Sequence, residues 1–158
     1  MSDVVTENVW DYPRPPRVEP SSERVVVTHG GVVLADTTAS VRVLETSHPP
    51  TYYLPASDFT DGVLRPAEGA SWCEWKGQAA YLDLVVGEEV LSGIAWTYPD
   101  PSARFEVLKD HVALYPGRVD ECTVDGEVVQ PQPGNFYGGW ITSRVTGPFK
   151  GGPGTSGW

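Results

Sequence analysis

Apolar and polar positions along this chain alternate in short runs and rarely repeat at helical spacing. Arg24-Val-Val-Val-Thr28 and Val32-Val-Leu-Ala-Asp36 are β-branched runs flanking His29-Gly-Gly31, the pattern of a hairpin. Val41-Arg-Val-Leu44 alternates as a third strand, and Thr51-Tyr-Tyr-Leu54 is a fourth that Pro55 ends. Asp58 to Gly62 reads as a loop. Ala79 to Val86 is a fifth strand, with Tyr81 and Asp83 on one face and Leu82 and Leu84 on the other. Gly87-Glu-Glu-Val-Leu-Ser-Gly93 reads as a connecting turn before a sixth strand, Ile94 to Tyr98, which Pro99-Asp-Pro101 stops. Phe105 and Leu108 lie three apart, so Ser102 to Lys109 is predicted as a helix of about two turns. His111 to Tyr115 returns to strand, and Asp125-Gly126 turns a second hairpin over residues 121–129.

Composition sharpens this picture. Fifteen prolines and 17 glycines in 158 residues suit turns and irregular arms, because helix interiors tolerate neither residue. The fold class expected is mainly β: a single compact domain of antiparallel strands with at most one or two short helices. Residues 1–22 read as a Pro-rich arm, through Asp11-Tyr-Pro-Arg-Pro-Pro-Arg17, and residues 23–130 as the β domain. Residues 131–158 are a Gly/Pro/aromatic arm, expected to wrap back and be pinned by Phe136, Tyr137 and Trp140.

Charge then narrows the partners. A net charge of −10 with eight scattered arginines argues against nucleic acid, which needs clustered cations. No window approaches the roughly 18 apolar residues of a membrane span. The N-terminus lacks the basic and apolar regions of a secretory signal, so a cytoplasmic location is expected, with Cys73 and Cys122 as free thiols. Two cysteines 49 positions apart build no closed zinc site, and neither a metal nor a cofactor is expected.

The candidate chemistry concentrates in Ser71-Trp-Cys-Glu-Trp-Lys-Gly77, which holds one of two cysteines, one of three lysines and two of six tryptophans. Cys73 is a nucleophile candidate if a cation stabilises its thiolate; the competing reading is a buried small hydrophobe. Lys76 either neutralises an anionic ligand or pairs with Glu45 or Glu74. Glu45 and His48, three apart at a Pro-Pro bend, could act as acid and base. Alternatively Glu45 accepts backbone N–H bonds and His48 is exposed. Tyr52 and Tyr53 face opposite sides of their strand, while Trp96 and Tyr98 share a face, as core or as stacking walls.

Read together, Leu44-Glu-Thr-Ser-His-Pro-Pro-Thr-Tyr-Tyr-Leu-Pro55, Cys73-Glu-Trp-Lys-Gly77, Ala95-Trp-Thr-Tyr-Pro99 and Asp110-His-Val-Ala-Leu-Tyr-Pro-Gly-Arg-Val-Asp120 resemble the family catalogued as domain of unknown function 427. The resemblance covers about residues 25–120 and implies a compact, mostly β domain related to the β-tent group, from soluble bacterial proteins. The family is also labelled nucleotidyltransferase-type, yet Gly30-Gly31 sits in a hairpin without the helix that would cradle phosphate. Two functions from different classes are expected to compete. One is a binding module whose aromatic cleft, with Lys76, Glu45, Tyr53, Trp96 and Tyr98, holds a small planar or anionic molecule. The other is a small enzyme using Cys73 or the Glu45/His48 pair. A third reading makes the aromatic arms a homodimer interface.

Overall fold

The computed structural model describes residues 6–73, 75–134, 137–155, 157 and 158. Along the chain come β1 (Glu7–Asn8), β2 (Arg17–Ser21), β3 (Val25–His29), β4 (Val32–Thr37), β5 (Ser40–Leu44), β6 (Thr51–Pro55), β7 (Leu64–Cys73), β8 (Gly77–Val86), β9 (Glu89–Thr97), β10 (His111–Leu114), β11 (Glu121–Val124), β12 (Glu127–Val128), β13 (Gln130–Pro131), β14 (Trp140–Ile141) and β15 (Val145–Thr146). A seven-stranded sheet runs β2-β5-β6-β10-β9-β8-β7, and a four-stranded sheet runs β12-β11-β3-β4. Their pairings are antiparallel. The helical pieces among the described residues are short 3-10 turns, the longest being Ala103–Leu108. The fold is mainly β, as the pattern of the chain implies.

Both expected hairpins are present. Gly30 and Gly31 take left-handed φ of 58° and 76° between β3 and β4, and Asp125-Gly126 take 49° and 84° between β11 and β12. Positive φ at both central residues gives the turn the twist that antiparallel strands need.

Several boundaries differ from the sequence reading, each for a physical reason. β9 begins at Glu89, so the turn is shorter than Gly87–Gly93, and Val90 and Leu91 already pair with Val85 and Leu84. Leu64–Cys73, unassigned by pattern, is the edge strand β7; it carries Pro66 and Gly69 and stays largely exposed. Its partner β8 makes it a strand, not alternation of its own residues. The two-turn helix is a kinked 3-10 piece with a non-helical Phe105. In the N-terminal arm, Arg17–Ser21 pairs along β5, and Glu7 and Asn8 pair with Val145 and Thr146.

The central strands of the seven-stranded sheet carry buried side chains on both faces. One face meets the four-stranded sheet through Tyr52, Leu54, Ile94, Leu114, Leu34, Val25 and Trp140. The other carries Val41, Val43, Tyr53, Ala79, Tyr98, Phe105, Leu108 and Ala113. Strand alternation therefore splits Tyr52 from Tyr53 as expected, yet both are almost fully buried, at 1% and 2% exposure. This second face holds the candidate site.

Candidate functional site

Register decides what gathers on that second face. Ala113 lies opposite Trp96, Trp96 opposite Tyr81, Ala79 opposite Ser71, and Val41 opposite Tyr53. Residues two apart on a strand share a face, so Val43, Tyr98 and Cys73 join the same side. The small side chain of Ala79 leaves room between large rings, beside a cleft of about 410 Å³. Lys76, Glu45, Tyr53, Trp96 and Tyr98 all line it, as do Cys73 and His48. The sequence-derived site residues thus converge from separate segments.

The rings are tied together. Trp96 Nε1 donates to the Tyr53 hydroxyl at 3.1 Å, and the Tyr53 and Tyr98 ring centroids are 6.2 Å apart. Burial pushes both phenols above their ordinary range, so both stay protonated. Trp96 also packs on Tyr115 at 4.8 Å.

Lys76 sits in the tight connection between β7 and β8. Its carbonyl accepts from Ser102 N–H at 3.0 Å, and the Trp75 carbonyl accepts from the Ser102 hydroxyl at 2.6 Å. Gly77 adopts φ 106° there, closing the turn with its α-carbon facing the backbone of Asp100 and Pro101. The tip is thereby docked on the 100–102 segment, and the Lys76 ammonium lies 5.8 Å from the Tyr98 ring centroid and 5.9 Å from that of Phe105. Among the described residues no carboxylate pairs with it. Of the two ion pairs expected for Lys76, the one with Glu45 is absent, and Glu74 lies outside the described residues. Cys73 is half-buried at the cleft wall, whereas the fully buried thiol is Cys122, which burial pushes up to about 12.

Glu45 and His48 form one cluster. The Glu45 carboxylate takes Arg14 Nε at 3.4 Å and faces His48 Nε2 at 3.5 Å. His48 is not exposed, as the bland reading had it; its side chain keeps only 12% exposure because the C-terminal segment covers it. Gly139 N–H donates to Gln132 Oε1, which turns the Gln132 amide nitrogen toward the Lys150 carbonyl and His48 Nδ1, at 2.8 and 3.1 Å. Nδ1 is then an acceptor and the ring proton sits on Nε2, toward Glu45. With both nitrogens engaged, this imidazole has no free lone pair to act as a base.

Burial lowers the His48 pKa below 6.5; Glu45 pulls it up, and Lys150, Arg14 and Lys76 press it down again. The unfolded chain therefore takes up this proton first, so the contribution to stability is full above pH 6.5 and declines as pH falls below it. An NMR titration of the His48 imidazole should show a midpoint below the ordinary value; one above it would contradict the arrangement.

Sequence reading missed the far wall of the cleft. Gln132, Tyr137, Gly138 and Lys150 come from the C-terminal segment, whose glycines gave no periodic signal. Gly138 presses on the Trp96 ring so closely that a Cβ there would collide with it. The far wall can approach Trp96 this closely only because that residue is glycine. Lys150 sits 5.5 Å from the Tyr137 ring centroid and donates to the Trp158 carbonyl at 3.2 Å. Two of the three lysines of an acidic chain thus face one cleft.

Fold and site together define a single mainly β domain with a ring-lined cleft on the outer face of its larger sheet. Over residues 17–125 the chain matches the family described as Domain of unknown function (DUF427), and it belongs to that family. The match starts where β2 enters the sheet, earlier than the resemblance by motifs alone. No curated protein matches the chain.

Proposed function

We propose that this protein is a small-molecule binding module whose cleft receives a planar ligand. The observation that carries the reading is convergence: aromatic side chains from β6, β8, β9 and the C-terminal segment line one concavity beside a docked ammonium. A volume of about 410 Å³ lies within the roughly 300–1,000 Å³ typical of small-molecule sites. Rings already locked by Trp96–Tyr53 hydrogen bonding and by contact with Tyr115 need little ordering when a ligand arrives, which lowers the cost of binding.

The binding reading uses the residues as they stand. The enzyme reading needs a base, and His48 is engaged at both nitrogens. In a reducing cytosol, the location that this reading adopts, Cys73 would stay a thiol at the cleft wall.

Saturation-transfer NMR with matched aromatic and saturated-ring fragments tests the proposal. Aromatic fragments should receive saturation and their saturated counterparts should not. Trp96→Ala should weaken the aromatic set by about 0.5–1.5 kcal/mol, the scale of one lost ring–ring contact. Equal response from both sets, or indifference to Trp96→Ala, would sink the reading.

A further inference from the structure

The charge and hydrogen-bond polarity of the cleft go further than its shape. Its one carboxylate among the described residues, Glu45, is already engaged by Arg14 and faces the His48 Nε2 proton. Its carbonyl-bearing side chain, Gln132, accepts from Gly139 N–H. What is left over is donors. Lys76 has no carboxylate partner among the described residues, and Lys150 spends one of its three N–H groups on the Trp158 carbonyl. Tyr98, only 5% exposed, borders the cleft under Lys76, and its hydroxyl shares a hydrogen bond with that of Tyr53. Trp96 Nε1 donates to the Tyr53 hydroxyl, and the single bond between the two phenols uses one of their two O–H protons and leaves one over. A buried donor without an acceptor is costly, and an unpaired ammonium held against rings more so. Both costs vanish if an anion sits between them.

We infer that the cleft takes a planar aromatic acid, with its carboxylate on the Lys76 ammonium and the Tyr98 hydroxyl and its ring system against the Trp75 and Trp96 walls. This rests on the binding reading above and specifies its ligand class. One unpaired ammonium matches one negative charge. An amine would find Glu45, the one counter-charge among the described residues of the cleft, already occupied. A neutral aromatic would leave Lys76 as it is.

The same geometry explains why an acidic chain places two of its three lysines here. At a net charge of −10 the overall field repels anions, so a site for one needs local cations close to the bound charge. The docking of the β7–β8 tip on Ser102 fixes Lys76 in advance, so that binding does not have to order it.

Calorimetric titration of the full chain with 2-naphthoate and 2-naphthamide, a pair matched in shape and differing in charge, tests this. The acid should bind at least about tenfold more tightly than the amide, the effect of one charge-assisted hydrogen bond. Lys76→Met should erase that preference while thermal melting stays unchanged, because the side chain makes no structural ion pair among the described residues. Tyr98→Phe should reduce the preference several-fold and leave amide binding as it was. Equal affinity for acid and amide would overturn this inference and leave the aromatic cleft standing. A preference for the acid that survives Lys76→Met would overturn it as well. If neither probe binds, the binding reading falls with it.

Discussion

Trp140→Ala will cost the fold about 3–5 kcal/mol, the range for emptying a fully buried indole site. Trp140 has no exposed surface, packs on Tyr52 with ring centroids 5.1 Å apart, and belongs to the core between the two sheets. Its backbone N–H donates to the Pro50 carbonyl at 2.8 Å, so the residue also ties the C-terminal segment to the start of β6. The indole Nε1 has no acceptor among the described residues. Trp140→Phe should therefore cost clearly less than Trp140→Ala: it keeps a ring and removes an unsatisfied donor. Urea denaturation of both variants checks the order. Because Tyr137 and Gly138 precede Trp140, the alanine variant should also lose the far wall of the cleft. A loss below about 1 kcal/mol would mean that the segment is not part of the core.

Arg42→Ala should be nearly as damaging, at about 3 kcal/mol, the lower end for removing one member of a buried pair. The guanidinium is fully buried and donates to both Glu7 oxygens at 2.9 and 3.1 Å and to Glu19 at 2.6 Å. The lower end applies because both carboxylates keep some solvent contact and Arg144 still faces Glu7 at 3.5 Å. Burial alone would raise the Glu7 carboxyl, but hydrogen bonds from Arg42 and Tyr12 and the charges of Arg42 and Arg144 outweigh it and hold the group below its ordinary 4.5. A depressed carboxyl contributes stability that is present above pH 4.5 and lost as pH falls through the folded value. Urea midpoints should thus drop on the acid side in the native chain and drop less in Arg42→Ala. An unchanged acid limb in the variant would show that Arg42 does not hold Glu7.

How legible was all this in the chain? The hairpins were, because Gly30-Gly31 and Asp125-Gly126 are local signals that need no tertiary context. So was the cluster of site residues: Lys76, Trp96, Tyr98, Tyr53 and Glu45 do meet around one cleft. Strand alternation placed Trp96 and Tyr98 together, but it could not show that Cys73 and Lys76 also share the cleft, since that depends on how the chain bends into Gly77. Edge strand β7 was illegible because both of its faces are largely exposed and its residues carry no alternation. The contribution of the C-terminal segment was hidden for the opposite reason. Gly138 and Gly139 matter through what they leave out, allowing close approach to Trp96 and to Pro49, and an absent side chain leaves no pattern. Arg42 was hidden as well: inside an alternating strand it reads as a polar outward position, and the N-terminal arm, with residues 17–21 paired along β5 and Glu7 and Glu19 bonded to the guanidinium, covers it.

The indole N–H signals of the six tryptophans report most directly on whether the cleft is a binding site. Protein labelled with nitrogen-15 would be titrated with 2-naphthoate. The signals of Trp75 and Trp96, at the cleft wall, should move and saturate together. Those of Trp140, in the core, and of Trp10, which donates to the Pro148 carbonyl and is not part of the cleft lining, should stay in place. Shifts confined to Trp10, or no shift at Trp75 and Trp96, would contradict the account.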